Sequence, residues 1–409
     1  MTKEGLRRRL NVSISNGNGH VKEIPKRKQR SLLRRCKRFA VKHTWTLPLV
    51  LLLAILSLYA QNPSESNILH HFIFLSYKLD GNDSALPTQY GKGLWDIAFV
   101  AFYTIVLSFT REFIMQEILR PLARLRISSR GKQLRFMEQA YTAIYFGVLG
   151  PAGLYVMRQT PVWYFNTRGM YEAFPHRTHA AEFKFYYLFE AAYWAQQALV
   201  MLLGQEKPRK DFKELIMHHV VTLALIALSY RFHFTYLGIA IYVTHDISDF
   251  FLAVSKSLHY YAPDIMVPFY AASVVSWIYC RHVLNLRILY SLLTEFRTVG
   301  PYELNWETQQ YKCWISNIIT FSLLAALQAL NLFWLYFLLR SAFKFLTTGE
   351  KKDDRSESDA SEIEVETYAL RANGLKANGT NDHVNGNRSP NGTLKGANGP
   401  VPVKMNGFH

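Results

Sequence analysis

Long apolar stretches separated by short polar ones occupy most of this chain. A mostly apolar run of about 18 or more residues is long enough to cross a bilayer as a helix. Such runs fall near 44–60, 94–110, 138–157, 184–204, 215–231, 234–254, 266–290 and 314–343. The first and last are clear, whereas the fifth and sixth are interrupted by histidines and aspartates that lower their hydropathy. Trp45, Trp95, Trp163, Trp306 and Trp314 sit near the ends of runs, where aromatic rings favour the membrane–water boundary. The pattern predicts an all-α, polytopic integral membrane protein with about eight transmembrane helices. A soluble protein with this many buried helices of that length lies far outside the usual range. The mean hydropathy of -0.02 conceals this, because polar ends dilute an apolar middle.

Charge orients the runs. The residues before the first one include Arg7, Arg8, Arg9, Lys26, Arg27, Lys28, Arg30, Arg34, Arg35, Lys37 and Arg38, so this tail is expected in the cytosol. Basic residues recur after the second run (Arg111, Arg120, Arg124, Arg126, Arg130, Lys132, Arg135) and after the fourth (Lys207, Arg209, Lys210, Lys213), while 61–93 holds only Lys78 and Lys92. An even number of spans then places both termini on the cytosolic side. The net charge of +17 is largely topological. It flanks spans and forms no reading surface, so contact with membrane lipids or a phosphorylated substrate is expected and nucleic-acid binding is not. The first apolar run begins after more than forty polar residues, which reads as a retained signal anchor rather than a cleaved signal peptide. Cys36, Cys280 and Cys313 offer neither a disulfide framework nor paired metal spacing.

The ends differ in kind from the middle. Residues 1–43 form a basic tail, 44–135 two accessory spans with their loops, and 346–409 a tail rich in Asn, Gly, Lys, Ser and Pro that lacks the apolar residues for a core. In the last tail Ser356, Ser358 and Ser361 lie among Asp353, Asp354, Glu357, Asp359, Glu362, Glu364 and Glu366, a setting for acidophilic phosphorylation or simply a solvated acidic patch. Asn82 begins a sequon in the loop expected in the lumen, where glycosylation is possible. Asn11, Asn378, Asn387 and Asn391 begin sequons on the expected cytosolic side.

The chemistry concentrates in two neighbouring runs. His218 and His219 open the fifth, and Asp246 and Asp249 lie inside the sixth, joined by the short connection Arg231, Phe232, His233. Ionisable side chains within a span are costly, and each is a functional-site hypothesis. Adjacent helical positions point about 100° apart, so both imidazoles reach one cavity. Asp246 and Asp249 are three apart and share a helix face. A short connection makes the two helices antiparallel neighbours, bringing the four groups to similar depth. A carboxylate beside an imidazole fixes its tautomer and raises its basicity, which equips it to move a proton or attack an acyl carbon. From these residues alone three other readings stay open: a metal site, a structural polar network, and a proton path in a transporter. Membrane oxygenases that bind metal use HxxxH and HxxHH boxes, however, and here only His218, His219 and His245 lie near the carboxylates.

The same stretch carries a resemblance. Lys210-Asp211-Phe212, Met217-His218-His219 with Thr222, Ser229-Tyr230, Gly238, and His245-Asp246-Ile247-Ser248-Asp249-Phe250-Phe251-Leu252 with Lys256 and Tyr260 resemble the Lag1 motif of ceramide synthases. The motif covers about 210–260, inside a TLC domain expected over 136–345. Lys184-Phe185-Tyr186-Tyr187-Leu188, Tyr193-Trp194 and Arg281 also match that domain. No homeobox-like insert occupies 61–93 or 111–135, which is similar to the fungal-type branch.

The resemblance implies a six-helix barrel around the histidines and aspartates. The implied reaction is transfer of a fatty acyl group from acyl-CoA to the amine of a sphingoid base, in the endoplasmic reticulum membrane. No cofactor is implied, acyl-CoA being a co-substrate. His218 and His219 become the catalytic pair and Asp246 and Asp249 their acidic partners. Either an imidazole takes the acyl group, with His218 as nucleophile and His219 as acid/base, or a histidine deprotonates the ammonium for direct attack. Asp246 is expected to orient a histidine and Asp249 to hold the substrate amine or hydroxyl. Thr222, His245 and Ser248 are supporting candidates, each with an ordinary buried hydrogen-bonder as its competing reading. Lys207, Arg209, Lys210 and Lys213 sit where CoA phosphates would arrive, although positive-inside topology alone accounts for them. Arg281 and His282 are an ion-pair partner or cavity lining, and 291–313 is the region that in this family influences acyl length. Family members form homo- or heterodimers with a paralogue, with a small single-span regulatory subunit in one branch. Two alternatives differ in kind: a TLC-domain protein that binds or moves lipid without acylating, and a membrane O-acyltransferase, which relies on an isolated His with a separate Asn.

Overall fold

The computed structural model of the protein describes residues 43–79, 87–206 and 210–348. Outside them lie the basic N-terminal residues, Asn82, Lys207, Arg209 and the tail serines Ser356, Ser358 and Ser361. Among the described residues, eight long helices follow one another: α1 Thr46–Ala60, α2 Trp95–Arg126, α3 Arg130–Arg158, α4 Ala181–Leu202, α5 Phe212–Arg231, α6 Thr235–Tyr261, α7 over 266–298 and α8 Trp314–Thr348. Each expected apolar run lies on one of them. By length and composition α2, α3, α5, α6 and α8 are able to cross a membrane, and α1 is a shorter apolar helix. A pair of two-residue antiparallel strands, β1 Gln89–Tyr90 and β2 His179–Ala180, ties the segment before α2 to the start of α4.

Three helices run past the ends that hydropathy predicts. α2 continues through a π-turn, Ile114–Leu119, into Arg120–Arg126, so the basic stretch after the second run begins as helix. Arginine favours helix nearly as well as leucine, and its charge ends the apolar run without ending the helix. α6 continues to Tyr261, and α7 continues through a second π-turn, Tyr279–Leu284, to Thr298.

The closest-fitting pair is α3 against α6. Gly147, Gly150 and Gly153 form a small-residue stripe on α3, the usual means by which membrane helices approach without steric conflict. A β-carbon on Gly153 would lie 2.4 Å from the Tyr186 hydroxyl and 2.9 Å from Val243 Cγ2, and one on Gly147 3.1 Å from the Phe250 ring. The turn between α5 and α6 is tight, with His233 at a φ of 67°, which makes these helices antiparallel neighbours as their spacing predicts.

A buried ion pair fixes α2 to α4. Lys184 Nζ meets Asp96 Oδ1 at 2.7 Å, with side chains 0% and 3% exposed. The ammonium also donates to the carbonyls of Ser76 and Gly91 (2.8 and 2.7 Å), and Tyr230 on α5 donates to Asp96 Oδ2 at 2.8 Å. Every charge here has partners, the condition under which a buried pair is tolerated.

Candidate active site

α5 supplies the histidines near its start. Both rings are buried, 6% and 8% exposed, and they meet edge-on with centroids 5.9 Å apart. Trp194 on α4 packs edge-on against both, and Trp334 on α8 against His218 at 5.2 Å. Trp334 is held in turn by donating its indole N–H to Asp211 at 3.0 Å. His219 Nδ1–H donates to the Leu215 carbonyl one turn back at 2.9 Å; this bond places the lone pair on Nε2. His218 Nδ1 has no hydrogen-bond partner among the described residues.

α6 supplies the acidic groups, and the structure separates their environments. Asp249 pairs with Arg281 Nη2 at 2.6 Å. The guanidinium also donates through Nε to Ser248 Oγ (2.6 Å) and through Nη1 to Asn331 Oδ1 (2.9 Å), and stacks over Trp277 at 4.0 Å. Asn331 Nδ2 donates to His245 Nε2 at 3.4 Å, and His245 Nδ1–H donates to the Ile241 carbonyl at 2.8 Å. The result is one oriented chain, Asp249–Arg281–Asn331–His245, joining α6, α7 and α8. Because the π-turn at Tyr279–Leu284 shifts the face of α7, Cys280, Arg281, His282 and Leu284 all turn inward. Asp246 is fully buried and accepts from the Tyr186 hydroxyl at 2.9 Å. No hydrogen bond among the described residues joins either histidine to either aspartate; Tyr186 donates to Asp246 Oδ2, and Asp246 Oδ1 has no hydrogen-bond partner among them.

His218 sits between two cavities. A cleft of about 240 Å³, the more polar of the two, is lined by His218, His219, Asp249, Arg281, Lys256, Asp211, Glu138 and Glu206, with Trp194 and Trp334. A narrow apolar pocket of about 40 Å³ lies on the other side, lined by His218, Trp194, Thr222, Leu225, Ser229, Tyr242 and His245. His218 and Trp194 border both. His219 and Asp249 border only the cleft, and Asp246 borders neither.

The remaining sequence candidates divide accordingly. Thr222 and His245 line the apolar pocket, Ser248 supports Arg281, and Lys210 and Lys213 are exposed and line neither cavity; Lys256 is the lysine at the cleft. Sequence reasoning did not single out Glu190, Asn331, Gln328 or Trp334. Glu190 on α4 is 0% exposed, with no hydrogen bond of ordinary geometry and Asp246 within electrostatic reach. The cost of polar groups inside apolar runs, which exposed the histidines, was a usable signal for Glu190, Gln328 and Asn331 as well. Among the described residues, Cys280 and Cys313 are buried free thiols.

A bundle of apolar helices enclosing imidazoles and carboxylates defines a multi-pass membrane protein with ionisable groups inside. The TLC domain model matches residues 135–340. The chain is 57% identical over 331 residues to the sphingosine N-acyltransferase-like protein FUM17 of Gibberella moniliformis, covering 79% of this chain and 85% of that protein. It is 46% identical to the sphingosine N-acyltransferase lac1 of Schizosaccharomyces pombe, over 85% of this chain and 91% of that one. It is also 50% identical to the ceramide synthase LAG1 of Saccharomyces cerevisiae, over 78% of each. The chain belongs to the TLC-domain family and, within it, to the Lag1/Lac1 sphingosine N-acyltransferases.

Proposed function

We propose that this protein is a ceramide synthase: it transfers the acyl group of a fatty acyl-CoA to the amine of a sphingoid base, with His218 as the acyl acceptor. The observation that carries the assignment is the position of His218 in the common wall of a polar cleft and an apolar pocket. A fatty acyl thioester has that same division, a polar nucleotide on one side of the reacting carbon and a hydrocarbon on the other.

In the first half-reaction an imidazole nitrogen of His218 attacks the thioester carbonyl. The new C–N bond forms, the C–S bond breaks, and the imidazole proton ends on the departing thiol. His219 carries its lone pair on Nε2 at the cleft and serves as the proton carrier. In the second half-reaction the amine attacks the acyl-imidazole, the amide C–N bond forms and the acyl–imidazole bond breaks. The ammonium that enters gives up one proton in excess of the one returned to His218, and His219 with the carboxylates accepts it. Asp249, locked by Arg281, supplies negative charge at the cleft for that ammonium. Lys256 at the cleft, with Lys210 and Lys213 beyond it, supplies positive charge for the CoA phosphates.

The finer architecture follows the same reading. All eight helices span, six of them forming a barrel over about 136–345 in the endoplasmic reticulum membrane, with both termini cytosolic. A dimer with a second copy or a paralogue, and a small single-span subunit, are its expected partners. The test is turnover of a sphingoid base with fatty acyl-CoA by the purified protein, partners supplied. Ceramide formation that disappears in His218→Ala supports the proposal. Folded protein that binds both lipids without forming ceramide places it among non-catalytic lipid binders.

A further inference from the structure

Three residues that carry the family resemblance have no part in the chemistry above: Tyr187, Ser229 and Gly238. In the structure they come together at one point. Tyr187, Ser229 and Gly238 all line the apolar pocket that begins at His218. A second apolar cavity of about 200 Å³ adjoins it, lined by Leu228, Phe232, Phe234, Leu304, Trp306 and Tyr311 among others. The two cavities have Leu225, Ser229 and Leu237 as common wall residues. Their junction is therefore the ring of α5 and α6 side chains at Ser229.

At Ser229 that junction carries a hydrogen bond to Tyr187, a wall residue of the first pocket. The Tyr187 hydroxyl on α4 bonds to Ser229 Oγ on α5, and Ser229 in turn donates to the Ile226 carbonyl at 3.1 Å. Both side chains are buried, and Tyr242, Phe183 and Tyr230 hold the Tyr187 ring from its sides. Gly238 on α6 leaves the ring its space: a β-carbon there would lie 2.2 Å from the Tyr187 hydroxyl oxygen and 2.9 Å from Cε2. This polar contact lies between a pocket at the reacting histidine and a cavity lined in part by Leu304, Trp306 and Tyr311, both with largely apolar walls.

We infer that the Tyr187–Ser229 pair, seated on Gly238, is a gate through which the acyl chain passes, dividing chains that fit the first pocket from chains that need the second. The inference rests on the acyl-transfer reading of His218. Ser229 lies eleven residues beyond His218 on α5, roughly 16 Å along the axis at the rise of an α-helix. A short acyl chain stays on the His218 side. A longer one displaces the hydroxyl pair and continues toward Trp306 and Tyr311. A single neutral hydrogen bond is weak enough to open for it. On this account the helices set a threshold before the connecting segment near 304–316 is reached.

The experiment measures ceramide formation by the full chain over a ladder of acyl-CoAs from hexanoyl to tetracosanoyl, in wild type, Ser229→Leu, Gly238→Ala and Tyr187→Phe, with thermal unfolding as the control for folding. Ser229→Leu and Gly238→Ala are expected to lower long-chain relative to short-chain turnover by roughly tenfold or more, the scale of a misplaced methylene in an apolar pocket. Tyr187→Phe, which keeps the ring and removes the bond, is expected to hold or raise that ratio. An unchanged length profile in folded Ser229→Leu and Gly238→Ala overturns the gate, as does a loss uniform across all lengths. Wild type that makes no ceramide at any length overturns the acyltransferase reading beneath it.

Discussion

Arg281 carries more of the site than any other single residue. Its guanidinium reaches Asp249, Ser248 and Asn331 while stacking on Trp277, and it is almost wholly buried. Removing one member of a buried pair leaves the other charge uncompensated, typically a loss of about 3–5 kcal/mol. Arg281→Met is therefore expected to unfold at markedly lower temperature in detergent. Adding Asp249→Asn to it is expected to recover most of the loss, because the stranded charge is gone. Equal instability in the single and double variants would show that the network, rather than the charge, is what matters. At this scale the sequence was partly legible. His218, His219, Asp246 and Asp249 stood out because charge and imidazole inside apolar runs are costly. Which partner each one takes was not legible, since Tyr186, Arg281 and Trp334, which meet Asp246, Asp249 and His218, come from other helices far along the chain.

Between residues and molecule, the helices were readable as apolar runs and their junctions were not. Hydropathy ends α2 and α7 early because it scores arginine as an exit from the membrane, and it has no term for π-turns. The connecting segments at the end of the bundle opposite His218 are where pH should act. Lys92 Nζ donates to the His176 carbonyl at 2.8 Å and to His233 Nδ1 at 3.3 Å, and His179 bonds Thr235 Oγ1 at 2.9 Å. Burial, with Lys92 adding to it, pushes the His176 imidazole down to about 4 and His233 to about 3, and lowers His179 well below its usual range. Such a group is neutral when folded and binds a proton more readily when unfolded. Its contribution to stability is complete above about pH 6.5 and is lost as the pH falls toward 4, with an upper bound of about 3 kcal/mol for His176. Thermal unfolding followed from pH 7 to 4 is expected to fall steeply in wild type and less steeply in His176→Gln. Parallel slopes would remove His176 as a cause.

For the whole molecule, the distribution of Lys and Arg gave an orientation before any helix was placed, because basic residues favour the cytosolic side irrespective of fold. That orientation puts Asn82 in the lumen and the Asn11, Asn378, Asn387 and Asn391 sequons in the cytosol. Protein made in a eukaryotic host is expected to shift in mobility after endoglycosidase treatment, and the shift is expected to vanish in Asn82→Gln. A shift that persists in that variant would reverse the assigned sides. The two cavities could not be read from sequence in the same way. They arise where the helices from α3 to α8 leave space between them, and apolar periodicity records which face is buried but not what is left unfilled.

The central claim is that His218 carries the acyl group. Intact mass spectrometry of the purified protein given fatty acyl-CoA alone tests it most directly. The account predicts a gain of one acyl group that is discharged as ceramide on addition of a sphingoid base and is absent in His218→Ala. Ceramide produced without any adduct under rapid quench, or an adduct that survives in His218→Ala, would contradict it.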